Sequence, residues 1–161
     1  MPTVSKSILI NAPLAAVYDI DADVRRAPEY LPGVSSCEPA GRGSNGDRYR
    51  FVYRALGLSF YGEVEVLELV RPRLFRAALL GRIHGEQTNT YTAEGAAETR
   101  VSWVVDYEVK LGPFGGAVAK ALEPFNARTL EQGLKNLKRL CECRDPARVE
   151  TTAAALGMER S

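Results

Sequence analysis

The sequence predicts an α+β fold in which a curved antiparallel sheet of seven strands wraps around one long C-terminal helix, with two short helices between the first and second strands. Three observations carry this. From Pro113 to Cys143, the apolar residues Val118, Leu122, Phe125, Leu130, Leu134, Leu137 and Cys141 recur at three-to-five-residue steps, which marks one buried helical face. From Thr99 to Val109, residues Val101, Trp103, Val105, Tyr107 and Val109 alternate with Arg100, Ser102, Asp106 and Glu108, the period of a half-buried strand. Between these patterns and the N-terminus lie roughly a hundred residues of mostly strand-like sequence broken by turn signals.

Taken in order, Thr3 to Ile10 alternates and forms the first strand. Asn11-Ala12-Pro13 then opens a short helix carrying Leu14, Val17, Tyr18 and Ile20, with Asn11 or Ala12 as cap and Pro13 in the first helical position. A second short helix covers Val24 to Tyr30 and ends at Leu31-Pro32-Gly33, and strand signals resume near Val34. Asp47 to Val70 reads as a hairpin turning at Gly57-Leu58. Pairing Leu56 with Ser59 sets Tyr53 opposite Gly62, Phe51 opposite Val64 and Tyr49 opposite Val66 on an apolar face. The other face then carries Arg54 with Tyr61, Val52 with Glu63 and Arg50 with Glu65, the charged groups forming a solvated ladder.

Leu74 to Leu80, Glu86 to Ala93 and Thr99 to Val109 complete the strands, with turns near Gly81-Arg82 and Gly95-Ala96-Ala97. The last helix begins at Gly112-Pro113 and would run on the order of 45 Å at about 1.5 Å per residue. Pro124 inside it predicts a bend. Residues 1–143 form one domain on this reading. Residues 144–161 form a loose tail opened by Arg144-Asp145-Pro146, with a fragment of helix at Val149 to Leu156.

The totals exclude several function classes. Twenty-one Lys and Arg against 20 Asp and Glu give a formal net charge of +1, which argues against affinity built on phosphate neutralisation. No run of about 18 apolar residues predicts a membrane span, though a transient membrane contact stays open. The first residues lack the charged-then-apolar layout of a signal peptide, and Cys37, Cys141 and Cys143 read as free thiols, so a cytoplasmic location is expected. One histidine and no second cysteine pair predict no metal site, and no cofactor is expected. Monomer and homodimer both stay open.

Three motifs resemble one family. Ser7-Ile8-Leu9-Ile10-Asn11-Ala12-Pro13-Leu14-Ala15-Ala16-Val17-Tyr18 is similar to its habitual start. Tyr30-Leu31-Pro32-Gly33-Val34 is similar to the segment after its second helix, and Leu111-Gly112-Pro113-Phe114-Gly115 to its glycine-rich entry into the final helix. In that order they resemble the START-like, or SRPBCC, superfamily of helix-grip proteins, whose bacterial members include polyketide cyclase/dehydrase and lipid transport proteins. The resemblance implies a cavity between sheet and helix for an apolar or polyaromatic molecule.

The residues expected to line it are Tyr49, Phe51, Tyr53, Phe60, Trp103 and Tyr107 from the sheet and Phe114, Val118, Leu122 and Phe125 from the helix. The strand after Gly85 adds Gln87, Asn89 and Tyr91. That register is favoured over one burying His84, Glu86 and the threonines, because an unpaired buried carboxylate is costly. Gln87 and Asn89 are then buried amides that need partners. No nucleophile motif is present, so no catalytic residue is assigned, and lone His84 at a hairpin turn reads as inert.

Three functions are consistent with these residues. The first is a binding or carrier protein for a lipid, quinone or polyketide-like aromatic. The second is an aromatase/cyclase that folds a poly-β-ketone and assists its proton transfers. The third is an interaction or maturation module using its outer surface. Binding rather than catalysis is the preferred reading.

Overall fold

A computed structural model describes residues 2–143. The predicted tail, including the helix fragment at 149–156, lies outside the described residues. Seven strands form one antiparallel sheet: β1 (Thr3–Ile10), β2 (Val34–Arg42), β3 (Asp47–Ala55), β4 (Leu58–Val70), β5 (Leu74–Gly81), β6 (Ile83–Gly95) and β7 (Glu98–Val109). Their spatial order is β1-β7-β6-β5-β4-β3-β2. Consecutive strands pair from β2 to β7, and β1 closes the far edge with Thr3 beside Asp106 and Ile10 beside Thr99. The first two strands therefore lie on opposite edges. Helix α1 (Leu14–Asp21) and a 3-10 turn (Val24–Glu29) make the crossing between them.

Helix α2 (Gly115–Cys143) covers the apolar face of the sheet. Leu122, Leu130, Leu134, Leu137 and Cys141 are buried, and Val101, Trp103, Tyr107 and Val109 meet them from β7. Gly133 marks the closest approach. A Cβ there would sit 2.9 Å from Leu31 Cδ2 and 3.0 Å from the Trp103 ring, so only glycine lets the helix lie this close. Polar anchors help hold it in place, among them Asn136 Nδ2 donating to Tyr30 O at 3.0 Å and Lys138 Nζ to Leu9 O at 3.0 Å. Pro124 lies within the helix as expected.

Several local expectations need correction. The β3–β4 hairpin turns at Leu56-Gly57, not Gly57-Leu58. Ala55 pairs with Leu58, Tyr53 with Phe60, Phe51 with Gly62 and Tyr49 with Val64. Both turn residues have positive φ, 52° and 76°, which matches the tight primed turn that follows strand twist. The shift is two residues, so every side chain keeps its face, and facial patterning alone does not separate the two registers. The charge ladder moves with it. Arg48, rather than Arg50 or Arg54, holds Glu65 at 2.7 Å and Glu63 at 3.4 Å.

At α1, Pro13 is the residue before the first helical position, with φ −62° and ψ 147°. Its carbonyl accepts from Val17 N–H at 3.1 Å, a role that needs no donor and suits proline. Neither Asn11 nor Ala12 caps the helix. The second short helix is of the 3-10 type and ends at Glu29, with Asp23 Oδ1 accepting from Arg25 N–H. Helix α2 starts at Gly115, two residues beyond Pro113, because Gly112 takes a left-handed φ of 58°.

Candidate functional site

A cavity of about 170 Å³ lies between the sheet and α2. Its wall is mainly carbon: Val4 and Val105 come from the β1–β7 side, and Phe51, Val64, Phe75 and Leu79 from β3, β4 and β5. The helical side is closed by Asn126, Thr129 and Leu130, the α1–β2 connection contributes Val24, Ala27 and Leu31, and β2 begins with Val34 on the wall.

Six of the thirteen expected residues lie on this wall: Phe51, Tyr53, Gln87, Asn89, Trp103 and Tyr107. The strand period brings Gln87, Asn89 and Tyr91 to the inner face, with Thr90 and Thr92 exposed. Tyr91 is buried just behind the wall. Phe60 packs in the core against Tyr53, with ring centroids 6.5 Å apart, and Tyr49 is half-buried at the hairpin. The helix residues require the largest correction. Phe114 precedes the helix and is 70% exposed, Leu122 is fully packed, and Val118 and Phe125 lie against the core. Large apolar groups fill space where they stand. The open volume therefore falls a turn later, where the smaller polar groups Asn126 and Thr129 face inward.

The feature that strand reasoning missed is Asp21. This carboxylate, 5% exposed, reaches the cavity wall from the end of α1. Its Oδ2 accepts from Tyr91 Oη at 2.6 Å, Trp103 Nε1 at 2.8 Å and Asn89 Nδ2 at 3.2 Å. Its Oδ1 lies 3.0 Å from Tyr30 Oη, which is also 3.1 Å from the Asp21 carbonyl oxygen. Helical periodicity does carry a signal for it. Leu14, Val17, Tyr18 and Asp21 are spaced i, i+3, i+4 and i+7, which sets an acid on the apolar face of α1.

Burial raises the Asp21 pKa, and the hydrogen bonds from Tyr91, Trp103, Tyr30 and Asn89 oppose that rise. Burial, reinforced by the Asp21 charge, holds the Tyr30 and Tyr91 hydroxyls well above their ordinary range, so both remain proton donors. The geometry satisfies both forms of the carboxyl. When Asp21 is ionised, Tyr30 donates to Oδ1. When it is protonated there, Asp21 donates to Tyr30 Oη, and Tyr30 turns its own proton to the Asp21 carbonyl.

The remaining polar groups are also engaged. Tyr53 Oη donates to Asn126 Oδ1 at 2.7 Å, and Tyr107 Oη to Ala119 O at 3.2 Å. Burial raises both phenols, partly offset by hydrogen bonds from Thr129 to Tyr53 and from Asn126 to Tyr107. Cys37 lines the wall as a thiol whose pKa burial pushes up to about 11, too high for a thiolate nucleophile at neutral pH. His84 is on β6 opposite Glu108, away from the wall.

A seven-stranded antiparallel sheet closed by a long C-terminal helix over a mainly apolar cavity defines the START-like, helix-grip class. The chain belongs to the polyketide cyclase/dehydrase and lipid transport family, which matches residues 1–142. Among solved structures, the chain is similar to TTHA0849 from Thermus thermophilus. The two are 27% identical, the match covers 88% of this chain and 98% of that one, and the TM-score is 0.72. It also resembles the Zhui aromatase/cyclase from Streptomyces sp. R1128 at 16% identity, with 89% and 94% coverage and a TM-score of 0.77. A START superfamily protein from Mycobacterium smegmatis is 23% identical, with 87% and 97% coverage and a TM-score of 0.71. No curated protein matches the chain. Among the described residues, no helix is long and apolar enough to cross a membrane.

Proposed function

We propose that this protein binds and carries a small hydrophobic molecule between the sheet and α2. The observation that carries this reading is the cavity itself, a carbon-walled space beside a polar cluster whose members bond to one another. Binding there would come from apolar burial, at about 25 cal/mol per Å² removed from water. Size narrows the occupant. An apolar cavity of about 150 Å³ holds a benzene-sized guest, and pockets for drug-sized ligands span roughly 300–1,000 Å³. A ligand of one or two rings fits about 170 Å³, whereas a full-length poly-β-ketone exceeds it.

The likeness to an aromatase/cyclase at 16% identity supports the fold and leaves the chemistry open. Proton-transfer catalysis needs an acid or base within reach of the substrate. The hydroxyl protons of Tyr30, Tyr53, Tyr91 and Tyr107 are already directed to protein acceptors, which favours binding over cyclisation.

Native mass spectrometry of the protein purified from its own host tests the proposal, paired with titration against a panel of one- and two-ring aromatics, quinones and lipids. A bound small molecule, or saturable binding of a panel member, is expected. An empty protein that responds to no member of the panel would overturn it.

A further inference from the structure

The hydrogen-bond directions around Asp21 determine what the cavity wall offers a ligand. Oδ2 of Asp21 is an acceptor in both protonation states, because Trp103 Nε1–H can only donate to it. Asn89 must therefore turn Nδ2 toward Asp21, which leaves its Oδ1 pointing back along β6. Gln87 must in turn present Nε2 to Asn89 Oδ1, and does so at 3.0 Å. The relay ends there. Among the described residues, Gln87 Oε1 has no protein partner, and Gln87 lines the cavity.

Charge points the same way. The wall residues include one carboxyl group, Asp21, and neither Lys nor Arg. An anion entering this space would leave water without meeting a cation.

We infer that the cavity is built for an uncharged, hydroxyl-bearing ligand of one or two rings that donates to Gln87 Oε1, and that it excludes carboxylates. This rests on the cavity-binding reading above and adds the polarity and charge of the occupant. It places Gln87 as the residue that selects a hydroxyl, with Asp21 setting the direction of the relay from behind.

Three probes of nearly equal shape separate the outcomes: naphthol, its methyl ether and naphthoate, titrated at pH 7 by calorimetry into the intact protein. Naphthol is expected to bind at least about fivefold more tightly than the ether, the effect of one hydrogen bond. Naphthoate is expected to bind at least about tenfold more weakly than naphthol. Gln87→Met is expected to erase the difference between naphthol and ether. The wild-type ranking stands as a test even if that variant does not fold. Equal affinity for all three probes, or tighter binding of naphthoate, would overturn the selectivity while leaving cavity binding intact. A naphthol preference that persists in Gln87→Met would overturn the role of Gln87. Binding by none of the three would defeat the cavity reading and this inference with it.

Discussion

The two halves of the sheet meet the helix differently. Around Ile10 of β1 and Val101 of β7, the sheet meets Leu134, Leu137 and Cys141 with little space left over, and each of these five is at most 2% exposed. Toward β3, β4 and β5, Phe51, Val64, Phe75 and Leu79 face a gap. One face of one sheet is therefore solid in one part and hollow in another. The difference follows from what α2 presents. Leu134, Leu137 and Cys141 fill the first region, and Asn126 and Thr129 leave the second open. Stability is concentrated where the packing is complete, and the capacity to hold a guest lies where it is not.

This contrast can be broken by mutation, and the largest effect is expected at the junction between the halves. Asp21→Ala removes the common acceptor of Trp103, Tyr91, Asn89 and Tyr30 and leaves buried donors unpaired. A loss of about 3 kcal/mol or more is expected in denaturant unfolding. Asp21→Asn keeps the geometry of the protonated carboxyl, with its amide N–H donating to Tyr30 Oη, and is expected to fold.

The pH dependence of this pair is a sharper test. Because the folded-state pKa of Asp21 is raised, its stabilising contribution is complete below the ordinary carboxylate range. It is lost as pH climbs from about 4 through the higher folded-state value. The stability of wild type relative to Asp21→Asn is therefore expected to fall between acidic and neutral pH. A difference that stays flat, or one that grows in favour of wild type, would show that burial does not dominate at this carboxyl.

Within the solid half, Leu134→Ala is expected to cost about 2–5 kcal/mol by opening a void in a packed region. Enlarging substitutions separate the halves directly. Val101→Phe is expected to cost about 1–3 kcal/mol by overpacking. Val64→Phe has a cavity to grow into and is expected to change stability by less than about 1 kcal/mol while abolishing ligand binding. Equal penalties would remove the distinction. The smallest effect belongs to the surface: Arg76→Ala, which breaks the Arg76–Glu86 and Arg76–Glu68 pairs, is expected to cost no more than about 1 kcal/mol.

Much of this architecture was legible because periodicity is a direct consequence of burial. The alternation of Val101, Trp103, Tyr107 and Val109 and the helical spacing of Leu130, Leu134, Leu137 and Cys141 identify the two surfaces that meet. The inward register of Gln87, Asn89 and Tyr91 followed from the cost of burying Glu86. The hairpin register did not follow, because a slip of two residues leaves both faces unchanged, and only the left-handed φ of Leu56 and Gly57 distinguishes them.

The site was harder to read for a related reason. Apolar residues on a helix predict contact, and contact is the opposite of a cavity, so Val118, Leu122 and Phe125 pointed to the filled region. Asp21 was hidden by its type, since an acid at the end of a short helix ordinarily faces water. Its partners come from β6, β7 and the segment after the 3-10 turn, and no local pattern joins them.

The central claim is that a mainly apolar space lies between the sheet and α2 beside the Asp21 cluster. A crystal of the protein pressurised with xenon tests it most directly, because xenon enters such spaces without needing the natural ligand. Xenon bound among Phe51, Val64, Phe75 and Leu79 is the predicted result. A filled interior with no xenon there would contradict it.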